Sequence, residues 1–143
     1  MGAQEILKMI EEVDPADTAK LDEIDARAWA YLNLIGDFTI TFSGCSVYYR
    51  HNGWNKEART ILHHSFEHDQ YTRSRDALKA IRPEGWNLEI EVWGKPQARC
   101  TIWKRPFCDT GIRFSRWLPT EELAELHAII QAIEHERTKG ETK

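Results

Sequence analysis

No apolar run in this chain approaches the roughly 20 residues that a membrane-spanning helix needs. Met1–Val13 is too acidic to read as a secretory signal peptide. Cysteine is scarce: Cys45, Cys100 and Cys108 form an odd set without metal-type spacing, which favours a reducing cytoplasm over a disulfide framework. The chain also lacks a phosphate-cradling glycine loop, a nucleophile elbow and a Cys-x-x-Cys zinc motif. Each of those chemistries needs a local arrangement visible in sequence, so their absence favours a binding protein without a cofactor over an enzyme. No low-complexity tract or repeat of long period divides the chain. Its 143 residues, 41% hydrophobic and 29% charged, read as one domain over residues 1–137 with a flexible tail at 138–143.

Tryptophan and the distribution of charge stand out instead. Six Trp are many for this length. Residues 1–30 carry eight acids and three bases, a net of −5, and residues 119–143 carry six acids and three bases, a net of −3. The middle, 31–118, carries thirteen bases and nine acids, a net of +4, so the overall −4 conceals a basic centre suited to an anion.

The ends read as helical. Ile6, Leu7, Met9, Ile10 and Val13 make an apolar stripe that Asp14-Pro15 stops. Asp17 or Thr18 then caps a second helix whose buried face is Leu21, Ile24, Ala28 and Tyr31, with Asp22, Glu23, Asp25 and Arg27 elsewhere. At the other end Thr120 caps a long helix with Glu121 and Glu122 in its first turn and a Leu123, Leu126, Ile130, Ile133 stripe.

Between them the period changes to two. Phe38–Phe42 and Val47–Arg50 alternate around a Ser43–Ser46 turn, and Arg59–His63 reads as a third strand or a loop. Tyr71-Thr72 leads into a short helix that buries Ala77, Leu78 and Ile81 and ends at Pro83-Glu84-Gly85. Asn87–Trp93 is the cleanest strand, with Leu88, Ile90 and Val92 facing inward; Ala98–Lys104 returns beside it, and Ile112–Ser115 adds a last strand. The expected fold is α+β: an antiparallel sheet of hairpins with N- and C-terminal helices packed on one face.

Several side-chain groupings bear on chemistry. His63, His64, His68 and Asp69 are the nearest approach to a metal site, but a full ligand set is not locally evident and a polar surface segment explains them. Cys100 falls on the core face of its strand, while Cys108, beside Lys104, Arg105 and Asp109, is the more reactive candidate. Glu89 and Glu91 share a strand face as an acid/base couple would, yet cross-strand pairing with Arg99 accounts for them without catalysis.

Arginine interleaved with aromatics is the more informative pattern. Tyr48, Tyr49, Arg50, His51 and Trp54 cluster near one turn, Tyr71, Arg73 and Arg75 open the middle helix, and residues 92–118 hold six bases against one acid. Guanidinium groups bind phosphate in a bidentate manner and aromatic rings stack on bases. The candidate ligand-binding residues are therefore Tyr49, Arg50, Arg73, Arg75, Trp93, Arg99, Trp103, Arg105 and Arg113, with no catalytic or metal-binding residue assigned. Trp29, Trp86 and Trp117 flank helices and read as core. A small anionic ligand fits better than a long nucleic acid, given the negative net charge and the lack of a lysine-rich tract.

Tyr71–Trp86 reads Tyr-Thr-Arg-Ser-Arg-Asp-Ala-Leu-Lys-Ala-Ile-Arg-Pro-Glu-Gly-Trp. This resembles a segment of small phage and prophage accessory proteins of the phage sandwich-domain type. The acidic helix Leu21–Trp29 and the Leu118–Leu123 helix entry are similar to theirs as well. The resemblance implies a phage accessory protein in the cytoplasm of a bacterial host and brings no catalytic residues with it. Together these readings point to non-enzymatic counter-defence, with a nucleotide-type signalling ligand sequestered between protomers of a homo-oligomer. The alternatives are a protein–protein inhibitor of a host defence or CRISPR effector, and an enzyme acting through the histidines or the Glu89/Glu91 pair.

Overall fold

The computed structural model describes residues 2–34, 38–43, 46–51, 60–63, 70–92, 97–104 and 113–141. Among these residues, four helices and two three-stranded antiparallel sheets give an α+β fold. The hairpins and flanking helices expected from sequence are present, distributed over two compact units, residues 1–70 and 71–143.

In the first unit, α1 (Ala3–Glu12) buries Ala3, Ile6, Leu7 and Ile10, and extended backbone at Val13 ends it just before Asp14-Pro15. Asp17 caps α2 (Thr18–Asn33), its side chain accepting from the Lys20 amide at 3.2 Å. The buried face of α2 includes Asp25 along with Leu21, Ile24 and Ala28. Sequence patterning places Asp25 outside this face, but a residue four beyond Leu21 and one beyond Ile24 lies under the same stripe.

Strands β1 (Phe38–Ser43), β2 (Ser46–His51) and β3 (Thr60–His63) form the first sheet in that order. Residues 60–63, which periodicity leaves between strand and loop, are thus a strand, drawn out by pairing with Val47–Arg50. Val47 and Tyr49 of β2 pack with Ala26, Trp29, Ala30, Leu34 and Ile40.

The second unit carries α3 (Arg75–Lys79), β4 (Trp86–Val92), β5 (Ala98–Lys104), β6 (Arg113–Leu118) and α4 (Glu121–Glu141). Strand β5 is central. Its inward residues Ala98, Cys100 and Ile102 are buried, as are Leu123–Ile130 of α4. Fully buried Leu126, Ile129 and Ile130 each contribute about 1.5–3 kcal/mol by leaving water. Thr120 caps α4 by accepting from the Leu123 amide at 3.1 Å. The helix runs on to Glu141, so residues 138–141, which composition assigns to a tail, extend it.

The Tyr71–Trp86 segment is a small structural module. Ser74 caps α3, accepting from the Ala77 amide at 3.3 Å, and Asp76 sits in the first turn. Gly85 takes φ +82°, which lets the chain turn into β4. Trp86 then donates from Nε1 to Glu136 of α4 at 3.2 Å and packs against Phe114 and His135. No helix among the described residues is long and apolar enough to cross a membrane.

Candidate functional site

Strand alternation sorts the second sheet into two faces. One holds Ala98, Cys100, Ile102 and Leu118 in the core, and at its end Trp86 and Lys104 both donate to Glu136 of α4. The opposite face is a grid of nine residues set by register. Asn87, Trp103 and Arg113 form one row; Glu89, Thr101 and Ser115 form the next; Glu91, Arg99 and Trp117 form the third. Glu89, Arg113, Ser115 and Trp117 are exposed, Asn87, Glu91, Arg99 and Trp103 are half-buried, and Thr101 at the centre is buried.

Directly opposed side chains on adjacent antiparallel strands interact. At the third row Arg99 donates from Nη2 to Glu91 Oε1 at 2.8 Å, and its guanidinium carbon lies 4.9 Å from the centre of the Trp117 ring. The expected cross-strand pairing of Glu91 with Arg99 therefore forms. At the first row Trp103 opposes Arg113, and Arg113 has no ion pair among the described residues. Two N–H donors on this face, Arg99 Nε and Trp103 Nε1, are out of solvent without a hydrogen-bond acceptor among the described residues. A donor in that state costs about 1–3 kcal/mol.

Of the candidate residues named from sequence, Arg99, Trp103 and Arg113 thus come together on one face. Trp93 and Arg105 lie outside the described residues, as do Cys108 and the His64–Asp69 part of the histidine cluster. Tyr49 is fully buried, donating from its hydroxyl to the Ala26 carbonyl at 3.3 Å with its ring 4.8 Å from Trp29. It is a core residue of the first unit, because alternation along β2 turns Val47 and Tyr49 inward together. Arg50 alternates to the other face of β2 and is exposed.

Arg73 is half-buried ahead of α3 and has partners within the fold. Arg75 is an anchor of α3: it reaches Glu121 at 3.6 Å and the fully buried Glu125 at 3.5 Å. Arg82 completes this network with contacts of 3.1–3.3 Å to both Glu125 oxygens. Cys100 lies beside the same group. Burial pushes its thiol up to about 12, Glu125 pushes the same way, and Arg82 and Arg75 pull it partly back. A thiol held in that form is a poor nucleophile at neutral pH.

One feature of the face escapes the sequence reading. Trp117, read as a core residue, is 36% exposed on the outer face, because β6 extends to Leu118 and keeps its alternation. The basic excess of residues 92–118 is partly offset here, since β4 brings Glu91 beside Arg99, as the sequence pattern leads one to expect. No group of three or more potential metal ligands occurs among the described residues. Comparisons with protein-family models, curated proteins and solved structures return no match to this chain.

Proposed function

We propose that this is a non-enzymatic binding protein whose outer β4–β5–β6 face sequesters a nucleotide-type ligand. The observation that carries this reading is the register pairing of Trp103 with an exposed Arg113 that has no ion pair among the described residues. An indole gives a base a stacking surface, and a guanidinium gives a phosphate its counter-charge. The resemblance at Tyr71–Trp86 supports a phage accessory role, in which removing a host signalling nucleotide would blunt a defence response.

Titration calorimetry of the folded protein with adenosine, guanosine, cytidine and uridine monophosphates and with ADP-ribose tests the binding. Saturable, salt-sensitive heat that disappears in Arg113→Ala is expected; flat traces for every ligand rule the reading out. In a host carrying a nucleotide-signalled defence, expression of the protein should restore phage plating and Trp103→Ala should not.

The balance of Glu89 and Glu91 against Arg99 and Arg113, with Trp117 exposed, favours a second reading as a protein–protein inhibitor. Flat Trp- and Arg-bearing patches are typical interface hot spots. Inhibition of a defence effector that survives loss of the Arg99 and Arg113 charges would select this reading over a phosphate ligand.

A further inference from the structure

Strands β5 and β6 present the same five-residue pattern on the outer face. Arg99-Cys100-Thr101-Ile102-Trp103 and Arg113-Phe114-Ser115-Arg116-Trp117 both read Arg-x-Ser/Thr-x-Trp. Their antiparallel register pairs Arg99 with Trp117, Thr101 with Ser115 and Trp103 with Arg113. A local twofold axis normal to the sheet therefore passes between Thr101 and Ser115. It carries each arginine, hydroxyl and indole of one strand onto its counterpart in the other. The result is two ring–guanidinium pairs in register, one at each end of the face, with the exposed Ser115 and the buried Thr101 between them.

The four-residue offset between the pairs corresponds to about 13 Å along the strands at 3.3 Å per residue. That is longer than one base can cover. A guest that uses both rings must carry two flat groups held apart, with acceptor atoms between them. We propose, building on the nucleotide reading above, that the ligand is a dinucleotide: two bases, one on Trp103 and one on Trp117, joined through phosphate that passes over the exposed Ser115.

The third strand breaks the symmetry. Strand β4 sets Glu91 beside Arg99 but Asn87 beside Trp103. Arg99 is consequently held by Glu91 at 2.8 Å and covers Trp117, whereas Arg113 is exposed without an ion pair among the described residues. The Trp103–Arg113 end takes the first nucleotide. The second base replaces the Arg99 guanidinium on Trp117, and Glu91 opposes that exchange by holding Arg99 in place.

Calorimetry with 5′-phosphorylated homodinucleotides of A, G, C and U, each against its mononucleotide, tests this. Joining two sites on one ligand should strengthen binding by about a hundredfold over the best mononucleotide, at one dinucleotide per chain. Trp117→Ala should return the dinucleotide to the mononucleotide level while sparing the mononucleotide; Trp103→Ala should weaken both. Glu91→Gln, which keeps shape and volume, should tighten only the dinucleotide. Should dinucleotides bind no better than mononucleotides, or should Trp117→Ala and Glu91→Gln leave them unchanged, the two-base inference falls and the nucleotide reading stands. If neither class binds to folded protein, both fall together.

Discussion

The Arg99 guanidinium stacks over Trp117 on the neighbouring strand, 4.9 Å from the ring centre, while donating to Glu91 on the strand to its other side. One side chain thus ties all three strands of the second sheet together on its outer face. A cation over an indole contributes about 0.5–1 kcal/mol at an exposed site. A double-mutant cycle between Arg99→Ala and Trp117→Ala, read by urea denaturation, should give a coupling of about that size. Additive effects would mean that the stacking does not persist in solution.

Glu125 makes the larger stability prediction. It is fully buried on α4 and receives Arg82 at both oxygens and Arg75 at 3.5 Å, which pins α3 and the turn after it to α4. Removing one partner of a buried ion pair leaves the other charge uncompensated, at a cost of about 3 kcal/mol or more. Arg82→Ala, which strips the buried Glu125 carboxylate of its closest partner, should lower stability in urea denaturation by about that amount. Arg75→Ala should cost less, and so should Glu125→Ala, because the two guanidiniums it frees are partly exposed to water. Equal, small effects from all three would show that water compensates these charges.

Cys100 predicts both a reactivity and a pH dependence. Its thiol is raised to about 12 in the fold, by burial first and by Glu125 second. In the unfolded chain it ionises near the ordinary value of 9.0. Between these values the native state binds more protons than the unfolded state, so stability declines as pH rises from about 9 towards 12. Below about 9 this residue contributes no slope. In a Cys45→Ser/Cys108→Ser background, a thiol-specific dye at pH 7.5 should label Cys100 only as fast as the protein unfolds. Replacement of Cys100 by Ala should flatten its part of the alkaline stability loss.

Gly85 tests the turn that separates α3 from β4. At φ +82° a β-carbon would meet nothing within 4 Å, so the cost of substitution is that of the backbone conformation alone. Gly85→Ala should destabilise by about 1 kcal/mol, while Gly85→Asn, which tolerates positive φ better, should cost less. Thermal melts of the two variants give the comparison. Equal melting temperatures for both and for the parent would show that the turn relaxes out of this conformation.

Local patterning accounts for most of the elements. Asp14-Pro15 sets the end of α1, Asp17, Ser74 and Thr120 cap three helices, and the Leu88/Ile90 and Cys100/Ile102 alternations set the inward face of β4 and β5. These depend on neighbours within a few residues, which is what a sequence displays. Val92 departs from the pattern: alternation sends it inward, yet it is 60% exposed, because it ends an edge strand where little packs over it.

Which arginines and tryptophans share a surface is a different kind of question, and composition answers it poorly. Tyr49 and Arg50 are adjacent in sequence but point to opposite faces of β2, one into the core and one into water. Arg75 resembles Arg113 in composition terms, yet a buried carboxylate on α4 claims one and not the other. The chain by itself determined the helices, the hairpins and the excess of guanidinium and indole groups. Only the register between β4, β5 and β6 decided that two Arg-x-Ser/Thr-x-Trp patterns would lie head to tail with carboxylates beside one of them. Pairing partners in a sheet are chosen by long-range packing, and no local preference encodes them.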